Sequence, residues 1–316
     1  MTATRQTLLL AVPVNWAGLW TAPLADMAPD LNVVVQGRDT FDPASIDYVL
    51  GFRPQPGFLK TLPNIRAVFS LGAGVDGFLE DKEYPRHVPL VRFVDHQLSR
   101  EMAQYCVMHV LIHHRQQRMF DSLQHKKKWR QSIPPRKTED TRVGILGIGE
   151  IGTLVAERLR EHDFQMAGWS RSKKQIDGVE SFAGAGNLQP FLARSDILIC
   201  LLPLTPDTRH ILSAKTFAML PDGAFVINVA RGGHLVESDL VAAIDSGHLS
   251  GATLDVFETE PLPGSSPLWA HPKITVTPHV AAISDPRVMA KVAVDGIALM
   301  ESGKPLENVV DFARGY

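Results

Sequence analysis

Short apolar runs alternate with stretches of helical periodicity along almost the whole chain. Such runs, bounded by polar or turn residues, are typical of strands buried in a parallel sheet that helices cover on both faces. The predicted strands are residues 8–12, 32–35, 48–51, 67–71 and 90–93, followed by 143–146, 165–169, 197–202, 224–228, 251–256 and 274–277. The pattern therefore predicts an α/β protein with two doubly wound parallel-sheet domains.

The two series of strands are separated by a predicted long helix at 100–120 and a basic, proline-containing segment. A chain of 316 residues exceeds a typical single domain, so two domains are expected. The last predicted helix, 286–302, has no strand after it, and we expect it to return to the first domain. The predicted domains are residues 1–99 with 286–316, and residues 100–285.

Composition excludes several classes of function. The hydrophobic fraction of 45%, the charged fraction of 21% and the net charge of −2 are ordinary for a globular protein and give no nucleic-acid footprint. No apolar stretch approaches the roughly 20 residues that span a bilayer, and no spacing of ligand residues predicts a metal site. Cys106 and Cys200 lie far apart in apolar surroundings, which favours reduced thiols and a cytoplasmic protein.

An apolar run ends in Gly147, Gly149 and Gly152, the spacing Gly-x-Gly-x-x-Gly between a predicted strand and a predicted helix. Gly147 permits a tight turn, Gly149 lets the backbone approach a pyrophosphate, and Gly152 allows the helix to pack closely on the strand. The helix start, at Glu150 and Ile151, offers backbone N–H groups and a positive dipole end to the phosphates. These features favour a dinucleotide site over a glycine-rich turn without a ligand.

The tip of the next predicted strand indicates which dinucleotide binds. In dinucleotide folds an Asp or Glu near this position bonds the ribose 2′-hydroxyl and selects NAD. Here the tip holds no acid but carries Ser170, Arg171, Ser172, Lys173 and Lys174. A guanidinium can chelate a 2′-phosphate and lysines add charge, so we predict NADPH; the alternative is a solvated basic loop.

Arg231, Glu260 and His279 each come just beyond the end of a predicted strand. Ligands of open α/β sheets bind outside the carboxyl ends of the strands, so three such residues can converge on one cleft. Taken singly, each has an ordinary structural explanation: a surface cation, a turn acid and a core histidine.

Several motifs occur together: residues 71–76, 147–152, 202–208, 228–232, 255–263 and 278–279. With this combination, the chain resembles the D-isomer-specific 2-hydroxyacid dehydrogenase family over about residues 65 to 285, and within it the bacterial branch that reduces glyoxylate and hydroxypyruvate. The resemblance implies a Rossmann-type cofactor domain inserted in a flavodoxin-like substrate-binding domain.

The resemblance also implies roles for individual residues. His279 would be the acid/base, Glu260 its partner that stabilises the imidazolium, and Arg231 the clamp of the substrate carboxylate and carbonyl oxygen. Ala73 and Gly74 would offer backbone N–H groups to the carboxylate. The residues implied to bind the cofactor beyond the glycine loop and the basic tip are Leu202, Pro203, Thr208, Val229, Ala230, Arg231, Asp255 and His279.

We therefore expect a cytoplasmic NADPH-dependent reductase of small 2-keto acids, most of all glyoxylate and hydroxypyruvate. The alternatives are an NAD-linked D-2-hydroxyacid dehydrogenase of other specificity and a non-catalytic nucleotide-sensing protein on the same fold. A homodimer is expected as well, because the predicted long helix and the arm with Trp129 carry more apolar surface than a connector needs, and relatives pair through this region.

Overall fold

The computed structural model describes residues 5–313, and within that range it contains twelve β-strands and nine α-helices. The strands are β1 (Thr7–Ala11), β2 (Asn32–Val35), β3 (Tyr48–Gly51), β4 (Ala67–Ser70), β5 (Leu90–Val91), β6 (Arg142–Leu146), β7 (Gln165–Ser170), β8 (Val179–Ala183), β9 (Ile197–Cys200), β10 (Ala224–Asn228), β11 (Leu249–Leu254) and β12 (Ile274–Val276). The helices are α1 (Gly18–Met27), α2 (Asp76–Leu79), α3 (His96–His114), α4 (Gln117–His125), α5 (Glu150–Arg160), α6 (Leu188–Ala193), α7 (Ala214–Phe217), α8 (Glu237–Asp245) and α9 (Pro286–Glu301).

The chain forms two compact units, the first comprising residues up to His96 and from Ser284 onward, the second Gln97–Ile283. The sequence placed these divisions at 99/100 and 285/286. The first division lies earlier because α3 begins at His96 rather than near residue 100. Helix α9 belongs to the first unit, where the Trp20 indole donates to the Met289 sulfur at 3.4 Å.

In the first unit the strands described pair in the order β2-β1-β3-β4-β5, all parallel. This is the order of flavodoxin-like sheets. Strands β1, β3 and β4 are buried along their whole length, as strands covered on both faces must be. The loop after β4 carries Ala73 and Gly74 at the carboxyl edge of this sheet.

In the second unit the described strands pair in the order β12-β11-β10-β9-β6-β7-β8, again all parallel. Counted from β6, six of them follow the Rossmann order 3-2-1-4-5-6, and β12 extends the sheet. The predicted fold class, two doubly wound parallel sheets with a Rossmann-type domain inserted in a flavodoxin-like one, is confirmed.

Two details of the sequence prediction were wrong. The helix predicted over residues 100–120 is two helices, because Gln116 between α3 and α4 adopts a left-handed conformation (φ 58°, ψ 32°) that a continuous helix cannot contain. Strand β8, which pairs with β7 at the edge of the sheet, was not predicted.

None of the helices in residues 5–313 combines the length and the apolarity needed to span a membrane.

Helix α3 buries histidine side chains against the second sheet. The His109 ring lies 4.3 Å from the ring of Tyr105, and His113 stacks on Phe225 at 4.0 Å. Burial lowers the pKa of His109 to about 4 and that of His113 to about 3. Both rings are therefore neutral in the folded protein at physiological pH.

We expect His109 to make the fold sensitive to mild acid. Between about pH 6.5 and pH 4 the unfolded chain binds a proton at His109 that the folded chain does not, since the folded pKa lies below the ordinary value of 6.5. The free energy of unfolding should fall through this window by up to about 1.4 kcal/mol per pH unit. Urea unfolding at a series of pH values should show a shallower slope for His109→Gln. Replacement of the exposed His162 by Gln is the matched control, and equal slopes in wild type and His109→Gln would refute the assignment.

Candidate active site

The predicted site residues of the second unit all lie at or just beyond the carboxyl ends of its parallel strands. Following β6 to β12 along this edge, they are Gly147, Gly149, Glu150 and Ile151 after β6; Ser170, Arg171, Ser172 and Lys174 at the tip of β7; Leu202, Pro203 and Thr208 after β9; Val229, Ala230 and Arg231 after β10; Asp255 and Glu260 after β11; and His279 after β12. One edge of one sheet therefore carries this whole set.

The loop after β6 has the geometry that a pyrophosphate needs. Gly147 has a φ of +100°, and its N–H donates to the carbonyl of Trp169 at 2.9 Å. A Cβ on Gly152 would lie 2.1 Å from the carbonyl oxygen of Gly147, so α5 packs on the loop more closely than any side chain allows. A Cβ on Gly149, in contrast, would meet no atom within 4 Å. The backbone at the start of α5 is thus open to a ligand, and the residues present fit a dinucleotide.

The tip of β7 forms a tight turn that displays its cations. The Ser170 hydroxyl donates to the carbonyl of Ser172 at 2.7 Å, and the backbone N–H of Lys174 donates to the Ser181 hydroxyl at 3.1 Å. Arg171, Ser172 and Lys174 are exposed. A guanidinium and an ammonium on a fixed turn beside the glycine loop suit a 2′-phosphate.

The turn after β9 is closed by Thr208. Its hydroxyl donates to the carbonyl of Pro203 at 2.7 Å and accepts from the N–H of Thr205 at 2.8 Å. Leu202 is buried beneath this turn, whereas Pro203 is exposed. The Thr208 side chain therefore shapes the loop that borders the carboxyl edge.

Arg231 is presented by a turn that Asn228 organises. The buried Asn228 amide donates to the carbonyl of Arg231 at 3.0 Å and accepts from the N–H of Ala230 at 3.2 Å. At Gly232 a Cβ would lie 1.8 Å from the carbonyl carbon of Phe257. Only glycine permits this approach, which brings the Arg231 turn against the loop that follows β11.

Glu260 and His279 form a pair. The Glu260 carboxylate accepts from the Phe257 N–H at 3.0 Å and contacts His279 Nδ1 at 2.9 Å. Because a carboxylate only accepts, Nδ1 carries the hydrogen and Nε2 is left for other chemistry. The side chains are 36% exposed for His279 and 25% for Glu260. The pair can therefore hold a proton at Nε2 and pass it to a bound molecule.

Strands β10, β11 and β12 are neighbours in the sheet, so the loops with Arg231, Glu260 and His279 lie side by side. Ala73 and Gly74 belong to the first unit. There the Ser70 hydroxyl donates to the carbonyl of Gly72 at 2.9 Å and fixes the start of their loop. Their binding of a substrate carboxylate stays a prediction.

Sequence reasoning missed the residues that shape these loops. Tyr105 and Thr277, which lie behind the His279 turn, belong to no motif and offered no signal. Gly232 belongs to the motif at 228–232, but its close approach to Phe257 was not predicted, although a glycine directly after a charged residue at a strand end could have indicated it. Within the described residues 5–313, no group of three or more His, Cys, Asp or Glu side chains could hold a metal ion.

Known proteins are similar to this chain in sequence and in fold. Residues 107–281 match the family described as D-isomer specific 2-hydroxyacid dehydrogenase, NAD binding domain. A glyoxylate/hydroxypyruvate reductase A of Yersinia enterocolitica is 41% identical over 309 residues, which cover 96% of this chain and 98% of the relative. A D-isomer specific 2-hydroxyacid dehydrogenase from Xanthobacter autotrophicus, solved with NADPH and MES, has a TM-score of 0.91 and 41% identity, covering 99% of this chain and 100% of that one.

A second solved structure is an NADPH-dependent glyoxylate/hydroxypyruvate reductase from Sinorhizobium meliloti in complex with NADP and sulfate. It has a TM-score of 0.90 and 41% identity, and the match covers 98% of this chain and 100% of that one. Identity of this level over nearly the full length of both proteins settles the family. The chain belongs to the D-isomer specific 2-hydroxyacid dehydrogenase family.

Proposed function

We propose that this protein is an NADPH-dependent reductase of small 2-keto acids, with glyoxylate and hydroxypyruvate as substrates. The observation that carries the proposal is the hydrogen-bonded pair of His279 and Glu260, which are 2.9 Å apart. The pair follows strands β12 and β11, and β11 lies next to β10, the strand that leads to Arg231. The similar proteins named as glyoxylate/hydroxypyruvate reductases support the choice of substrate.

Reduction of a 2-keto acid needs a hydride at the carbonyl carbon and a proton at its oxygen. NADPH, when bound, would supply the hydride. The Arg231 guanidinium binds the substrate carboxylate and polarises the carbonyl oxygen as negative charge develops there. His279 donates the proton from Nε2, and the carbonyl becomes the hydroxyl of the 2-hydroxy acid.

Glu260 prepares His279 for this step. Its carboxylate accepts the hydrogen bond of Nδ1, so the proton that His279 can donate to a substrate is the one on Nε2. The same hydrogen bond fixes the direction of Nε2. The Phe257 N–H holds the carboxylate in place, so the ring is oriented by a chain of two hydrogen bonds. Backbone N–H groups of Ala73 and Gly74 complete our proposed set of carboxylate donors.

We propose which residues bind each part of the cofactor. The glycine loop with Glu150 and Ile151 binds the pyrophosphate, and the β7 tip binds the 2′-phosphate. Residues at the ends of the central strands border the rest of the dinucleotide: Leu202, Pro203, Thr208, Val229, Ala230, Arg231, Asp255 and His279.

Oxidation of NADPH in the presence of single keto acids tests the proposal. The panel should contain glyoxylate, hydroxypyruvate, pyruvate and phosphohydroxypyruvate, each also assayed with NADH. We expect the highest kcat/KM with NADPH and one of the first two acids. Turnover of D-2-hydroxy acids with NAD alone would favour the NAD-linked alternative. Binding of NADPH without turnover of any acid would favour nucleotide sensing.

We further propose a cytoplasmic homodimer. Trp129 is 93% exposed and Phe120 is 38% exposed on the segment that follows α3, as expected for apolar side chains that a second copy covers. Cys106 and Cys200 are both free and buried, which suits a reducing compartment. Light scattering at micromolar concentration should give twice the mass of the chain. We expect Trp129→Ala to weaken this association, and a monomeric wild-type protein would contradict the proposal.

A further inference from the structure

We propose that Tyr105 and Thr277 are positioning residues: their hydroxyls fix the Asp255 carboxylate, which holds the turn that presents His279. The proposal rests on the proposed function, in which His279 donates the proton. The Thr277 hydroxyl binds the Asp255 carboxylate and the Tyr105 hydroxyl binds Thr277, so their effect on His279 would be exerted through the backbone of the turn.

A single residue, Asp255, holds the turn that contains His279. His279 itself has a φ of +57°, in the left-handed region that residues with a Cβ avoid, so the surrounding structure must maintain it. The N–H of His279 donates to the carbonyl of Asp255 at 2.8 Å. The next two N–H groups, of Val280 and Ala281, donate to the two carboxylate oxygens of Asp255, each at 2.9 Å. Three successive backbone donors therefore converge on Asp255.

The Asp255 carboxylate is itself oriented by hydroxyl groups. Asp255 is 1% exposed, and its Oδ1 accepts from the Thr277 hydroxyl at 2.6 Å. The Tyr105 hydroxyl lies 2.6 Å from the same Thr277 oxygen. Because Thr277 has a single hydroxyl hydrogen and gives it to the carboxylate, Tyr105 must be the donor to Thr277. A directed chain of hydrogen bonds thus runs from Tyr105 to Asp255.

The start of this chain is anchored in α3. Tyr105 is 7% exposed, and its ring packs against that of His109 at 4.3 Å. His109 in turn lies 3.4 Å from the hydroxyl of Thr253, two residues before Asp255 on β11. Helix α3 therefore contacts β11 and the residue that follows β12 through polar side chains as well as apolar ones.

Loss of the Thr277 hydroxyl would leave both neighbours short of a hydrogen bond. The carboxylate could then rotate, the N–H groups of Val280 and Ala281 would lose their fixed acceptors, and His279 could relax from its left-handed conformation. The orientation of His279 Nε2 would become less well defined, because the turn and Glu260 together determine it. We expect this to slow proton donation while cofactor binding at the distant glycine loop is preserved.

The first test needs neither cofactor nor substrate. Hydrogen exchange of peptides that contain residues 278–283, followed by mass spectrometry, reports how firmly the Val280 and Ala281 amides are held. We expect exchange at least about tenfold faster in Thr277→Val and Tyr105→Phe than in wild type, and near wild-type exchange in Thr277→Ser. Unchanged exchange in both hydroxyl deletions would overturn the proposal.

The second test is steady-state kinetics with glyoxylate and NADPH. Thr277→Val should lower kcat about tenfold with less than a twofold change in the KM for NADPH, and Thr277→Ser should restore kcat. Thr275→Val is the matched control, since it deletes a hydroxyl two residues earlier on β12, and it should keep the wild-type kcat. Faster exchange with unchanged kcat would show a purely structural network and overturn the positioning role. Absence of keto-acid turnover in wild type would overturn the proposed function, whereas the exchange comparison would still decide whether the hydroxyls hold the turn.

Discussion

Replacing His279 with alanine is expected to lower the kcat of glyoxylate reduction by about 10²–10⁴-fold, the range that a positioned general acid contributes. The ring is the group that we assign to protonate the carbonyl oxygen, and the neighbouring Glu260 is a carboxylate that accepts from the Phe257 N–H rather than a proton donor. The KM for NADPH should change much less than kcat. Single-turnover oxidation of enzyme-bound NADPH measures the chemical step directly.

The same strand provides a matched control. His271 precedes β12, as His279 follows it, and also pairs with a carboxylate, at 3.2 Å from Asp245. Since His271 lies at the amino end of the strand, away from the candidate site, His271→Ala should keep wild-type turnover. A loss of less than tenfold in His279→Ala would contradict the assignment of His279 as the acid.

The partner of His279 can be tested in the same series. Glu260→Gln keeps the shape of the side chain but replaces a carboxylate, which can only accept, with an amide that can also turn its NH₂ group towards Nδ1. The ring is then oriented less firmly and the direction of Nε2 is less well defined, so kcat of glyoxylate reduction should fall while the KM for NADPH changes little. A kcat equal to that of wild type would separate the roles of the two residues.

The strands were predictable because their apolar runs end at polar or turn residues. Strands β2, β3 and β10 have the predicted bounds. Strand β8 was not predictable, since its sequence holds a charged Glu180 and it lies half-exposed at the edge of the sheet. The break between α3 and α4 was hidden because the apolar periodicity continues through Met119 and Phe120, while the left-handed Gln116 leaves no mark in the pattern.

The candidate site was predictable in part for a general reason. Parallel strands bring their carboxyl ends to one edge, so residues far apart in sequence can be placed there from strand ends alone. The support of the His279 turn was not predictable. Tyr105 and Thr277 are 172 residues apart, and their contact follows from how α3 packs on the sheet, which no local pattern encodes. Asp255 was predicted to bind the cofactor, and the three hydrogen bonds of its carboxylate to the 277–281 segment emerged from the structure.

Replacing Arg171 with alanine is expected to raise the KM for NADPH by about tenfold to a hundredfold and to leave the KM for NADH nearly unchanged. A charge-assisted hydrogen bond contributes roughly 1.5–3 kcal/mol, which corresponds to this range. NADH lacks the 2′-phosphate, so it loses no such contact. The turn at the β7 tip is closed by Ser170 and Ser172 and should persist in the variant. Initial rates at saturating glyoxylate with each cofactor give the comparison.

Two further variants make this result specific. Arg171→Lys should be intermediate, because an ammonium keeps the charge but cannot chelate the phosphate with two parallel N–H groups. Arg158→Ala removes an exposed arginine from the far end of α5, where it pairs with Glu161 at 2.8 Å, and should alter neither KM. If Arg171→Ala raised the KM for both cofactors equally, Arg171 would contact a part of the dinucleotide that NADH shares. The preference for NADPH would then have to come from Lys173, Lys174 or the serine hydroxyls of the same turn.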